Sequence, residues 1–383
     1  MTQPSRPKIQ TLKDDGPKSY ADFLAKQATS PVDVKFVSRI IQSKIPEEAE
    51  IELSLFQACN LRCSFCWQDH DDKEGLETIQ SKAIPINEYV SLNPSERFTV
   101  CMMGGELFQD GQDPTLVDQY YDLIVTTTAH AKSANKKLRY TLVTNMIWQD
   151  RAPVEALLNR LIAAGCDVGF STSLDFHGRP VKHDPQTQWY SNVTYFKEYI
   201  DTVNMVLTRP AIKRFLEGDT SFLKKLYDED FPISFDYYTP ESDAFLLVPS
   251  DREILNYMLK VAKDFPKIEP MNSWLTKDAN KMTCVGPNKV TILPSGRIVT
   301  CRQLKYDISD FLNPIFYESN ANIIMDSLTK KECLTCPYFA RCGFSCFVME
   351  DHKYFSKRKE LSECLYKLMF REILKDGPNH QTD

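Results

Sequence analysis

Residues 51–66 read IELSLFQACNLRCSFC. The first six form a short apolar run of strand character, and the turn that follows delivers three cysteines at 59, 63 and 66, spaced C-x3-C-x2-C. Three thiolates on one loop can ligate three irons of a cubane and leave the fourth iron open. Four protein ligands close a structural metal site, whereas three keep a place for substrate or cofactor. A three-cysteine zinc site, or simply buried thiols, would use the same residues.

From this run to about Lys263, short apolar stretches alternate with segments of helical period, the pattern of a parallel βα array. Residues 51–56, 98–103, 138–145, 167–174, 202–208 and 232–238 read as six strands. Residues 115–132, 154–165, 192–200, 212–227 and 251–265 read as helices, with Gly165 a helix C-cap. The fold class is therefore α/β: a partial (β/α)6 barrel over residues 49–270, with its site at the C-terminal ends of the strands. Residues 1–48 form a helical extension containing DFLAKQ and VSRIIQSK. After about Pro270 the texture changes to short strands, turns and cysteines, which marks a small second domain over 271–375. It opens with a hairpin turning at Pro294-Ser295-Gly296, and residues 376–383 are a frayed tail.

Twelve cysteines, a net charge of -6 and no hydrophobic signal segment point to a cytoplasmic chain whose thiols serve metals or chemistry rather than disulfides. No run of about 18 apolar residues is present to span a bilayer. The acidic balance gives no broad basic field for nucleic acid, although Lys132, Lys136, Lys137 and Arg139 cluster locally; a solvated helix end is the better reading of that cluster. The acidic run QDHDD (68–72) reads as a solvated face.

The triad's placement directly after the first strand resembles the radical S-adenosylmethionine (SAM) superfamily. Phe65 matches that family's aromatic position before the third cysteine, which implies contact with the adenine of SAM. Gly104-Gly105-Glu106, closing the second strand, resembles the family's GGE motif, whose backbone and carboxylate hold the SAM amino group. Glycines let the chain approach a ligand closely, and a carboxylate accepts from an ammonium. Asn145 and Ser173 end the third and fourth strands, where family members place polar groups near SAM; each also fits a plain turn or cap. Asp175 fits a turn or a substrate contact. His183-Asp184 resembles an HD pair of related enzymes, but the arginine expected after it is missing, and Arg179 lies earlier.

Cys284, Cys301, Cys333, Cys336, Cys342, Cys346 and Cys364 form a ladder that resembles the SPASM extension of peptide-modifying and sulfatase-maturing members. The resemblance implies one [4Fe-4S] cluster that binds SAM and two auxiliary ones. Cys333, Cys336, Cys342 and Cys364 would hold one auxiliary cluster; Cys284, Cys301 and Cys346 would hold the other, with a fourth ligand of another kind or an open iron. Structural zinc knuckles are the competing reading of the ladder. Cys101 and Cys166 remain as buried thiols.

The function so implied is reductive cleavage of SAM to a 5′-deoxyadenosyl radical that abstracts a substrate hydrogen, with an electron donor such as flavodoxin or ferredoxin. A peptide or protein side chain is the leading substrate class, modified by oxidation, epimerisation or crosslinking. The alternative is radical isomerisation of a modified nucleobase, as in phage DNA hypermodification, or of a small molecule. A third class, an iron-sulfur or zinc scaffold without turnover, is disfavoured by the intact triad and Glu106.

Overall fold

The computed structural model describes residues 46–66, 68–175, 185–238, 245–277, 280–281, 288–299, 328, 332–342, 361 and 363–375. Six parallel strands form its core: β1 Ala49–Ser54, β2 Arg97–Met103, β3 Lys137–Val143, β4 Asp167–Ser173, β5 Ile200–Leu207 and β6 Ile233–Tyr237. They pair in chain order, each parallel to the next. The α/β architecture read from the sequence is thus present, with no strand boundary off by more than two residues.

Strand alternation gives the sheet two unlike faces. Ile51, Leu53, Val100, Leu142, Phe170 and Val203 point one way and are buried beneath the helices. Each such side chain contributes roughly 1.5–3 kcal/mol of hydrophobic stabilisation. The helices that cover this face are α1 Ala83–Leu92, α2 Pro114–Ser133, α3 Ala152–Ala163, α4 Pro185–Tyr195, α5 Arg209–Leu216 and α6 Ser221–Asp228. The opposite face carries Glu50, Glu52, Thr141, Asp201 and Lys289, joined by hydrogen bonds and ion pairs.

Local chemistry explains where the helices begin and end. Asp113 caps α2 by accepting from Thr115 N–H at 2.9 Å, with Pro114 at the first helical position. A further helix, α7 Asp251–Asp264, opens on a capping box between Ser250 and Glu253. The single helix expected over 212–227 is two, because Gly218 adopts a φ of 99° that closes α5 before α6 restarts after Thr220. The helix expected over 192–200 instead starts at Pro185 and stops at Tyr195. α1 is not among the helices expected from the sequence.

After α8 (Met271–Thr276) come β7 Lys289–Ile292 and β8 Ile298–Val299, the expected antiparallel hairpin. Its place differs from expectation: β7 lies parallel against β1, so the hairpin extends the main sheet to the order β6-β5-β4-β3-β2-β1-β7-β8. The last described helix, α9 Leu365–Lys375, packs on α7, with Trp274 meeting Tyr366 and Phe370 at 5.8 and 6.0 Å between ring centroids. No helix among the described residues is long and apolar enough to cross a membrane. The helical segments DFLAKQ and VSRIIQSK expected before residue 46 lie outside the described residues, as do Arg179, His183, Asp184, Cys284, Cys301 and Cys346.

Candidate active site

β1 delivers the cysteine loop to the C-terminal edge of the parallel sheet, the edge on which sites of such folds are built. Leu55 N–H donates to the Met103 carbonyl at 2.8 Å, so the chain leaves β1 still in register with β2. Opposite, Gly104 and Gly105 cross close beneath the loop. A Cβ on Gly105 would land on the carbonyl oxygens of Gln57 and Ala58, and one on Gly104 would strike the Phe56 ring. These glycines are therefore required first by the cysteine loop itself, a physical reason other than the ligand approach read from the motif. Glu106 N–H completes the seam, donating to the Ala58 carbonyl at 3.1 Å.

Glu106 is 1% exposed. Its carboxylate accepts from Phe108 N–H at 2.9 Å, from the Thr144 hydroxyl at 2.6 Å and from Asn145 N–H at 2.6 Å. It thereby ties the end of β2 to the end of β3, and charge-assisted bonds of this kind are the strong ones. Asn145 carries the brace onward: its side-chain amide donates to Asn60 Oδ1 at 3.0 Å, inside the cysteine loop, while its own Oδ1 accepts from Ile147 N–H.

The acidic run 68–72, read as a solvated face, is partly that and partly a second strap. Arg62 pairs with the exposed Asp71 at 2.5 Å, Gln57 donates to Asp72 at 2.7 Å, and Cys59 N–H donates to the His70 carbonyl at 3.2 Å. Gln68, in turn, donates to the Gly104 carbonyl at 2.9 Å. Sequence reasoning missed Gln57, Asn60, Gln68 and Asp72; these are common polar residues without a motif, and only the fold brings them together.

Cys59, Cys63 and Cys66 are half-buried on this strapped loop, and Phe65 beside them is likewise half-buried. Burial pushes the Cys59 thiol up to about 12, and the negative charges of Glu106, Cys63 and Cys66 push the same way. Thiolates so crowded are favoured only beside a cation, which suits ligation by iron or another metal. Among the described residues no three Cys, His, Asp or Glu side chains converge on a point where one metal ion would sit. A cubane does not ask for that, because each thiolate binds a different iron and the sulfurs surround the cluster. The donor set therefore fits a three-thiolate cluster.

Ser173 ends β4 opposite Asn204 of β5. Asp175 accepts from Val206 N–H at 3.1 Å and so ties the β4 exit to β5. Cys333, Cys336, Cys342 and Cys364 fall in one neighbourhood: Cys333 and Cys336 share a 3-10 turn, Cys342 N–H donates to the Tyr338 carbonyl, and Tyr338 stacks on Phe370 of α9 just after Cys364. Cys101 sits on β2, where burial pushes its thiol up to about 12; Cys166 is 8% exposed. Three residues of the basic cluster are taken into structural work: Lys132 bonds the Gly165 carbonyl, Lys136 the Val90 and Asn93 carbonyls, and Arg139 pairs with Asp167 and Asp201, while Lys137 is exposed at the start of β3.

Residues 53–210 match the radical SAM superfamily, a span that begins in β1 and contains the cysteine loop, the Gly104–Glu106 turn and Ser173. The chain carries a radical SAM domain. The solved structure of hexahistidine-tagged anSMEcpe with bound AdoMet superposes on 86% of this chain and 98% of its own, with a TM-score of 0.60 at 15% identity. At that identity the likeness is one of fold, and it extends past the radical SAM domain. A structure of PhdJ bound to substrate intermediate aligns over 86% of this chain and 97% of its own at 11% identity, with a TM-score of 0.29, too low to argue from. No curated protein matches the chain.

Proposed function

We propose that the chain is an enzyme that cleaves SAM reductively at the strapped cysteine loop and uses the resulting radical to take a hydrogen from a peptide or protein side chain. The observation that carries this is one assembly: three thiols on a loop fixed to β2 and β3 through Gly105, Glu106 and Asn145, inside the radical SAM domain. When bound, a [4Fe-4S] cluster and SAM supply one-electron reduction of the sulfonium, with homolysis to methionine and a 5′-deoxyadenosyl radical.

In this reading Cys59, Cys63 and Cys66 hold the cluster, and the Gly104–Glu106 turn receives the SAM amino group. At least three donors already occupy the Glu106 carboxylate, so an ammonium would share it rather than own it. Phe65, Asn145 and Ser173 complete the SAM contacts. The protein's own contribution is rigidity: hydrogen bonds from the ends of β2 and β3 and from residues 68–72 hold the loop, so a bound reactant would be positioned without reorganisation. Cys333, Cys336, Cys342 and Cys364 make up the ligand set of an auxiliary cluster, with Cys284, Cys301 and Cys346 assigned to a second. Flavodoxin or ferredoxin would deliver the electron. With three of the four residues of the basic cluster engaged within the fold, the peptide class is preferred to a nucleobase.

The test is anaerobic purification, iron analysis and assay of 5′-deoxyadenosine from SAM and dithionite. Wild type forms it, Cys63→Ala does not, and Cys336→Ala retains part. Formation by Cys63→Ala at the wild-type rate, or a colourless wild-type protein holding zinc, would overturn the assignment.

A further inference from the structure

One helix holds, from outside the sheet, the two strand ends assigned to SAM. Asn145 follows β3 and Ser173 closes β4. Behind them α4 presents Gln188, Trp189 and Asn192, whose spacing of one and four residues puts them on one helix face. Trp189, fully buried, donates from Nε1 to Thr172 Oγ1 at 3.0 Å. Thr172 shares the helix-covered face of β4 with Phe170, so strand alternation turns Ser173 to the opposite face. Gln188 donates to the Trp148 carbonyl at 2.9 Å, and the Asn192 amide donates to the Met146 and Trp148 carbonyls at 2.9 and 2.8 Å.

The turn that α4 grips is a strained one. Met146 is buried with a φ of 55°, a left-handed conformation that is costly for a residue with a Cβ and persists only where its surroundings impose it. Its effect is to aim the preceding residue. Asn145 N–H meets Glu106 at 2.6 Å and its side chain reaches Asn60 at 3.0 Å, while Thr144 Oγ1 takes Met146 N–H at 3.2 Å and Trp148 Nε1–H at 3.3 Å. Asn192 is also fixed in its own orientation. Arg151 Nε can only donate, and does so to Asn192 Oδ1 at 2.7 Å; the two backbone carbonyls can only accept. The carboxamide is thus 0% exposed with both its oxygen and its nitrogen engaged.

We propose that Asn192 is a positioning residue for SAM: it acts through the Met146 turn to hold Asn145 in the geometry in which Asn145 meets SAM, with Gln188 sharing the load. The proposal rests on the radical SAM reading and adds to it a helix residue set behind the strand ends. The cysteine loop has other straps, from Gln57 to Asp72, from Gln68 to the Gly104 carbonyl and from Glu106 N–H to the Ala58 carbonyl, so iron binding should survive release of the turn. Asn192→Asp isolates the function. It keeps the volume and the bond to Arg151, but sets a carboxylate oxygen against the two carbonyl oxygens that the amide nitrogen now serves.

The experiment compares wild type, Asn192→Asp, Gln188→Met and Val193→Ala as iron-reconstituted proteins without reductant. Val193, buried beside Asn192 on α4, has an apolar side chain that cannot bond the turn, so its truncation reports general loosening of the helix. Two quantities are read: amide hydrogen exchange over residues 141–150, without SAM, and SAM affinity by equilibrium dialysis. The expected result for Asn192→Asp is faster exchange in that segment, iron content equal to wild type, and SAM affinity lower by about tenfold, the worth of about one hydrogen bond. Gln188→Met should lose about threefold and carries the same test if Asn192→Asp does not fold. Unchanged exchange, faster exchange with unchanged SAM affinity, or an equal SAM loss in Val193→Ala would each overturn the proposal. The two failures are distinguishable: no SAM bound by iron-loaded wild type defeats the radical SAM reading, whereas SAM bound equally by wild type and Asn192→Asp defeats only the positioning role.

Discussion

Replacing Glu106 by Gln tests whether this carboxylate is a brace, apart from the SAM contact proposed for it. Its carboxylate accepts from Phe108 N–H and the Thr144 hydroxyl on Oε1 and from Asn145 N–H on Oε2. A Gln can keep its oxygen toward the first two, but its amide nitrogen then faces the Asn145 N–H, donor against donor. One buried N–H loses its partner, at about 1–3 kcal/mol, and the two surviving bonds lose their charge assistance. The sum is about 3 kcal/mol. With an unfolding entropy of about 2.1 cal/mol/K per residue, a chain of this length has roughly 0.8 kcal/mol/K, so the melting temperature should fall by about 4 °C. The assay is anaerobic thermal unfolding without SAM, which keeps ligand affinity out of the comparison. Thr144→Val should lower stability too, and the double variant should fall short of the sum, because the two residues share a bond. An unchanged melting temperature for Glu106→Gln would refute the brace, even if SAM binding were lost.

Two further outcomes follow from the same geometry. Gly105→Ala places a methyl on the Gln57 and Ala58 carbonyls and should cost about 1–3 kcal/mol; after reconstitution it should retain less iron at the triad than wild type, and full iron retention would contradict the packing. Lys82, 1% exposed with its ammonium on the Pro294 carbonyl, has its pKa lowered from 10.5 chiefly by burial, with Glu74 opposing. Between the lowered folded value and 10.5 the unfolded chain holds a proton that the native chain does not, so stability rises with pH in that window. Chemical denaturation across it should show that rise in wild type and its absence in Lys82→Met.

What the sequence disclosed was what has a local signature. Strands such as DVGFSTSL declare themselves by apolar β-branched and aromatic composition, and the triad and the Gly-Gly-Glu turn by spacing. What it hid was set by partners far away in the chain. Pro294-Ser295-Gly296 announces a hairpin, yet nothing near it says that β7 will lie against β1, whose Glu50 pairs with Lys289 across 239 residues. Lys82 reads as a surface lysine until the hairpin turn closes over it. Gly218 splits a helix whose apolar period continues straight through it, because period reports the buried face and not the backbone conformation. Even the Gly-Gly pair was legible as a turn but not in its cause, since the cysteine loop that demands it belongs to the preceding strand and is separated from it by α1 and β2.

The position of the hairpin also bears on how the site keeps its shape. Gly75 has a φ of 95° and lies where a Cβ would collide with the Leu55 carbonyl and stand 3.1 Å from that of Pro294. The exit of β1, the segment leading to α1 and the turn of the hairpin therefore meet at one point, which the buried Lys82 closes from the other side. The cysteine loop is consequently fixed at both ends by elements outside itself: β2 and β3 where it begins, and the β7–β8 turn where it returns to the helices. A substitution that loosens the hairpin turn, such as Lys82→Met, should disturb the triad although no cysteine is touched. Iron retention at the triad, compared between that variant and wild type at equal foldedness, reads this directly; identical retention would show that the hairpin merely covers the sheet edge.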